Sequence, residues 1–164
     1  MIYKVGIITS SDKGAAGERE DLSVKAITNI LNNYDNFTVD KYMIIPDEKE
    51  ELKKEMIEMA DIHGIDLILT TGGTGFSHRD VTPEATLEVI DRRTPGIPEA
   101  MRWFSLQITP RAMLSRAEAG IRNDTLIINL PGSPKAITET LDYVMSSVEH
   151  GLDILKAQAS ECAR

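Results

Sequence analysis

A largely apolar run at residues 65–69 opens directly into Thr70-Thr71-Gly72-Gly73-Thr74-Gly75-Phe76-Ser77-His78-Arg79-Asp80-Val81-Thr82-Pro83-Glu84-Ala85-Thr86. A buried strand that runs into a Gly-rich turn and then a helix is how α/β proteins aim backbone amides at an anion, because the first turn of a helix leaves its N–H groups unpaired. Three glycines among four residues allow positive φ and close approach to a ligand, and Thr71 and Thr74 add hydroxyls. The stretch lacks the Gly-Lys-Ser/Thr of a Walker loop, and His78 stands where a dinucleotide fingerprint needs its third glycine. Arg79 and Asp80 place a phosphate-matching guanidinium beside a hard oxygen ligand, and Thr82-Pro83 predicts an N-cap followed by a first-turn proline. Asp80 serves equally well, on local grounds, as a cap for that helix.

Elsewhere apolar runs alternate with helical patterns, the signature of βαβ units and a mostly parallel sheet. Strands are predicted at residues 5–9, 38–45, up to Thr70, and 125–130. Helices are predicted at 24–32, at 48–60 with Leu52, Met56, Met59 and Ala60 on one face, from Thr82 to about residue 92, and at 100–106 behind Pro98. Two further helices, 134–148 and onward towards residue 159, are expected to close the chain. The stretches 10–21 and 107–124 read as loops. The expected architecture is one α/β domain over residues 1–164, a doubly wound, mostly parallel sheet flanked by helices.

In such sheets ligands bind beyond the carboxyl ends of the strands. Ser10-Ser11-Asp12, Pro46-Asp47-Glu48, the Gly-rich loop and Pro131-Gly132-Ser133-Pro134 each follow a predicted strand, so all four are expected on one rim. Asp47 and Asp80 with a phosphate cradle between them suit magnesium, which takes oxygen ligands and completes its shell with water and phosphate. Taken alone, Asp47 also reads as a cap for the helix at residue 48, and Pro131-Gly132 as a turn.

The 164 residues are enough to bury a sizeable core, and the net charge of −8 argues against a nucleic-acid surface. Cys162 has no second cysteine to pair with. The first residues lack a basic segment followed by an apolar core, and no apolar run approaches the ~20 residues needed to span a bilayer, so a cytoplasmic protein with no membrane partner is expected.

Pro46-Asp47, the block from Gly72 to Thr86, Met113-Leu114-Ser115-Arg116 and Asn129-Leu130-Pro131-Gly132-Ser133-Pro134 closely resemble the MogA/MoaB family of molybdenum-cofactor biosynthesis, in the family's order and over nearly the whole chain. The resemblance implies a homotrimer, and an adenylyltransferase that moves AMP from ATP to the terminal phosphate of molybdopterin with release of pyrophosphate. It implies that Asp47 and Asp80 hold or position Mg²⁺, or Mn²⁺ in its place, and that Gly72, Gly73, Thr74 and Gly75 contact nucleotide phosphates. Ser11 and Asp12 fall in the family's Ser-Asp stretch and are assigned to the same pocket. Ser115, Asn129 and Arg116 are assigned to molybdopterin, and transient contact with a molybdenum-insertion protein is implied. Asp21-Leu22-Ser23-Val24 lacks the glycine many relatives carry after the serine. Two rival readings stand: a catalytically silent molybdopterin carrier of the MoaB type, and a module resembling the G domain of gephyrin that depends on a partner for metal insertion.

Overall fold

The computed structural model describes residues 1–157; Cys162 and the helix end expected towards residue 159 lie outside them. The chain runs β1 (Tyr3–Ser10), α1 (Asp12–Ala15), α2 (Leu22–Leu31), β2 (Phe37–Ile45), α3 (Lys49–Asp61), β3 (Leu67–Thr71), α4 (Thr82–Val89) and β4 (Arg92–Arg93). It continues through α5 (Gly96–Leu106), a 3₁₀ turn (Pro110–Leu114), β5 (Ala119–Arg122), β6 (Thr125–Leu130) and α6 (Pro134–Leu155).

The strands form one six-stranded sheet in the order β2-β1-β3-β6-β5-β4. β1 pairs in parallel with β2 and β3, and β3 with β6, whereas β5 runs antiparallel to β6 and β4 antiparallel to β5. From β1 the chain first steps outward to β2 and then crosses back to β3 on the other side, so its direction reverses between β1 and β3. That reversal opens a crevice beyond Ser10 and Thr71.

Side chains of the central strands are buried on both faces, which is why these strands read as continuous apolar runs. Val5, Ile7, Leu67, Leu69, Leu126 and Ile128 pack towards α2, α5 and α6, while Ile8, Ile68 and Ile127 pack towards α3 and α4. The alternation follows the two-residue period of a strand. α2 begins where the Asp21 carboxylate accepts from the amides of Ser23 and Val24, and it buries Ala26, Ile27, Ile30 and Leu31. α6 is a single helix rather than the two expected. Its buried stripe, Ile137, Leu141, Val144, Met145, Val148 and Leu152, runs unbroken past Gly151, and packing holds that glycine helical.

Other departures are local. The helix from Thr82 stops at Val89, and Arg92–Arg93 joins the sheet edge instead of extending it. Residues 107–124 hold the 3₁₀ turn and β5, and residues 10–21 hold α1. β4 and β5 are too short, and α1 too polar, to show a period.

At the end opposite the crevice, polar contacts tie α6 to the strand starts. Tyr3 donates to Asp153, Asn36 Nδ2 donates to Glu149 at 2.7 Å, and Lys156 Nζ lies 2.6 Å from Asp66, which accepts from the Lys4 amide. Leu69→Ala, which removes a fully buried side chain from the central strand, is expected to cost about 3 kcal/mol in urea unfolding, and exposed Lys54→Ala less than about 0.5 kcal/mol.

Candidate functional site

The rim beyond β1, β2, β3 and β6 brings together the four segments expected there. Gly72 takes φ +88° and Gly73 φ +66°, and both lie against β1: a Cβ on Gly72 would overlap the Ser10 carbonyl oxygen, and one on Gly73 would sit 2.5 Å from Thr82 Oγ1. These two glycines are therefore required both by backbone conformation and by space. Thr71 Oγ1 donates to the Pro131 carbonyl at 2.8 Å, which draws the β6 rim loop beside the Gly-rich loop. Gly75 lies close to Asp80, whose Oδ2 accepts from the Ser77 amide at 3.0 Å. Asp80 thus closes its own loop instead of capping α4. Thr82 likewise does not cap α4; it is the helix's first residue, with Val81 at the N-cap position, and its buried Oγ1 has no hydrogen-bond partner.

Asp47 does not cap α3. It is half-buried and interlocks with the start of α1: its Oδ1 accepts from Ser10 Oγ at 2.6 Å, its Oδ2 from the Asp12 amide at 3.1 Å, and its own amide donates to Asp12 Oδ1 at 3.0 Å. Ser11 Oγ accepts from the Gly14 amide and caps α1. Arg79 then reaches across from the Gly-rich loop, donating through Nε and Nη2 to the two oxygens of Asp12 at 3.1 and 2.9 Å, with Nη1 2.9 Å from Glu48. The guanidinium holds the Asp12 carboxyl below the usual carboxylate range, helped by the hydrogen bond from the Asp47 amide. These contacts close a ring through the rim loops of β1, β2 and β3.

Arg116 is committed in the same way. Its Nε donates to the Gly75 carbonyl and Nη2 to the Asp80 carbonyl, each at 2.7 Å, Nη1 pairs with Glu84, and its amide donates to the Thr74 carbonyl at 2.9 Å. It braces the Gly-rich loop from outside. Asn129 is completely buried. Its Nδ2 donates to Thr70 Oγ1 at 2.9 Å and to Thr86 Oγ1 at 2.8 Å, and its Oδ1 accepts from the Glu118 amide at 3.1 Å. It lies beneath the rim, where it joins β6, β3, α4 and the segment that carries Ser115. Ser115 itself lines a separate, largely apolar cavity of about 250 Å³, with Met101, Arg102, Ala112 and Pro131 among its walls.

Between the rim loops lies a cavity of about 470 Å³ lined by Thr9, Ser10, Ser11, Asp21, Ser23, Thr71, Gly72, Gly132 and Ser133, among others. The N-termini of α2 and α6 border it, α6 being capped by Ser133. Ser23 Oγ donates to the Gly132 carbonyl at 3.0 Å, tying these two walls. Asp21 was not among the residues singled out from sequence as site members. Burial alone would raise its pKa, but hydrogen bonds from Thr9 Oγ1 at 2.5 Å, Tyr42 and the amides of Ser23 and Val24 hold it below the usual range. The signal available was an Asp two residues before a Ser at the head of a helical period.

A doubly wound sheet with amides, hydroxyls and carboxylates gathered beyond its switch point has the layout in which open α/β proteins hold a small ligand. Residues 6–150 match the family model of a probable molybdopterin binding domain, and the chain belongs to that family. A molybdopterin adenylyltransferase of Helicobacter pylori is 45% identical over 152 residues, covering 92% of this chain and 86% of its own. That of Escherichia coli K12 is 40% identical over 154 residues, covering 91% and 79%. The molybdopterin biosynthesis enzyme MoaB of Thermus thermophilus superposes with a TM-score of 0.90 at 47% identity, covering 98% of this chain and all of that one.

Two outcomes are expected from this geometry. Asn129→Ala removes the partners of the buried Thr70 hydroxyl and of the Glu118 amide, while Thr86 keeps its bond to Thr82, and is expected to cost about 3 kcal/mol in urea unfolding. Because the folded-state pKa of Asp21 is depressed, its stabilisation is present above the unfolded value of about 3.9 and is lost as pH falls through the lower folded value. The melting-temperature gap between wild type and Asp21→Asn is therefore expected to be constant from pH 7 to 5 and to shrink below pH 4.

Proposed function

We propose that the protein is a molybdopterin adenylyltransferase in molybdenum-cofactor biosynthesis, with AMP transferred from ATP to the terminal phosphate of molybdopterin and pyrophosphate released. The observation that carries this reading is the joining of Asp47, through Asp12 and Arg79, to the Gly-rich loop that holds Asp80. Relatives that bear the name of this activity match over nearly the whole chain. The likeness to a MoaB protein keeps the silent-carrier reading as the alternative, and retention of both Asp47 and Asp80 favours the enzyme.

The attacking phosphate is already an anion, so the reaction requires positioning and charge neutralisation instead of a protein nucleophile. In this reading the amides of Gly72, Gly73, Thr74 and Gly75 receive nucleotide phosphates, with Ser11 on the wall of the rim cavity and Asp12 beside it, bonded to Asp47 and Arg79. Ser115 offers its apolar cavity to the pterin, while Arg116 and Asn129 act on substrate through the backbone they hold. Asp47 and Asp80 fit magnesium as oxygen donors. Among the described residues no group of three or more His, Cys, Asp or Glu side chains is set to hold a metal, so an ion at Asp47 and Asp80 would draw the rest of its shell from water and phosphate. Bound there, Mg²⁺ or Mn²⁺ supplies charge neutralisation at the phosphates.

We also propose a homotrimer in the cytoplasm, with transient contact to an insertion protein. Exposed Trp103, Ile108, Met113 and Leu114 supply apolar surface for assembly, and among the described residues no helix is long and apolar enough to cross a membrane. The test is incubation with molybdopterin, ATP and Mg²⁺, following pyrophosphate release. Wild type is expected to transfer AMP; Asp47→Ala and Asp80→Asn are expected to lose at least about a hundredfold in rate while remaining folded. Molybdopterin binding without any transfer would move the protein to the carrier reading.

A further inference from the structure

Ser10 ends β1 and is 5% exposed, yet it meets three parts of the rim. Its hydroxyl donates to Asp47 Oδ1 at 2.6 Å. Its carbonyl packs against Gly72, and its Oγ would lie 3.3 Å from a Cβ on Gly73. Its position in the sheet is firm: it pairs with Ile45 of β2, two residues before Asp47. A hydroxyl bonded to a carboxylate at this distance is a charge-assisted bond, roughly twice as strong as a neutral one, and burial shields it from competing water.

The Asp47 carboxylate is therefore gripped from both sides, by the Ser10 hydroxyl on one oxygen and the Asp12 amide on the other. The amide alone leaves the carboxylate able to rotate about that contact; two bonds on two oxygens select one orientation. The residue that supplies the second bond is the same one against which Gly72 and Gly73 are packed, so carboxylate and phosphate cradle are held to one residue at the end of β1, through its hydroxyl and its backbone. We propose that Ser10 is a positioning residue for the transfer reaction, orienting Asp47 relative to the amides of the Gly-rich loop. Its kinetic consequence rests on the adenylyltransferase reading; its structural consequence does not.

An alanine at position 10 keeps the strand and its burial and removes only the donor, whereas threonine keeps the hydroxyl and suits a strand. The test combines the ligand-free crystal structure of Ser10→Ala with steady-state rates of Ser10→Ala and Ser10→Thr. It adds calorimetric binding of ATP with Mg²⁺ to Ser10→Ala, to Asp47→Ala and to the double variant. Ser10→Ala is expected to turn the Asp47 carboxylate away from its place and to lower kcat about tenfold with the KM for molybdopterin within about twofold, and Ser10→Thr to restore the rate. Ser10→Ala is expected to weaken binding about threefold in wild type and not at all in the Asp47→Ala background, because the serine acts through that carboxylate. An unmoved Asp47, a wild-type rate in Ser10→Ala, or a binding loss of the same size in both backgrounds would overturn the proposal. Absence of AMP transfer by the wild type would overturn the adenylyltransferase reading instead, with the orientation of Asp47 in the Ser10→Ala crystal then deciding the positioning role.

Discussion

The amide of Asn129 holds the layers of the site at fixed distances. It lies on β6 with no exposed surface, and its three side-chain bonds reach β3 at Thr70, α4 at Thr86 and the chain at Glu118. Its backbone amide returns to the Glu118 carbonyl at 3.0 Å, doubling the link. A primary amide has two donors and one oxygen in a plane, and in this buried position all three are satisfied. Thr86 passes the constraint on by donating to the Thr82 carbonyl at 2.9 Å, in the first turn of α4. The Gly-rich loop that spans β3 and α4 is thereby anchored at both ends from below, and Arg116, two residues before Glu118, clasps it from above. A loop with three glycines has high conformational entropy when unconstrained. Here it starts from and returns to fixed points.

How much of this was legible in the chain varies with the kind of signal. The central strands were legible because burial on both faces leaves largely apolar runs such as Leu67–Thr71 and Thr125–Leu130, and the amphipathic helices because Leu52, Met56 and Met59 keep a helical period. The rim followed from topology, since parallel strands end on the same side. What stayed hidden were elements with no period of their own. β5 is four residues long and β4 two, and each exists because it completes a sheet edge. The continuity of α6 through Gly151 depended on packing that local propensity does not report.

The same division separates the site residues. Asp47, Asp80 and the glycines could be gathered on one rim from strand order alone, but their partners could not, because hydrogen bonds such as Ser10 to Asp47 and Arg79 to Asp12 join residues 37 and 67 positions apart. Residues that look alike in sequence take different parts for that reason. Asp80 and Asp47 each precede a helix that either is chemically able to cap; the first instead closes a turn on the Ser77 amide, and the second is drawn to β1. Asn129 sits within a motif that points towards a ligand, and burial places it one layer beneath.

Charge gives the last constraint. The chain carries a net −8, yet the ligand proposed for its rim is a polyanion. Both guanidiniums beside the Gly-rich loop are already matched by carboxylates, Arg79 with Asp12 and Glu48, Arg116 with Glu84. Such pairs present little net positive potential at a distance, so long-range steering of an anion cannot be the main source of attraction. What remains acts at contact: backbone amides in the loop and at the N-termini of α2 and α6, the Ser11 hydroxyl, and Arg19 on the cavity wall. An amide dipole works over a few ångströms and only when correctly aimed. A site that relies on such groups must keep its backbone rigid before the ligand arrives, and Arg79 and Arg116 serve that rigidity.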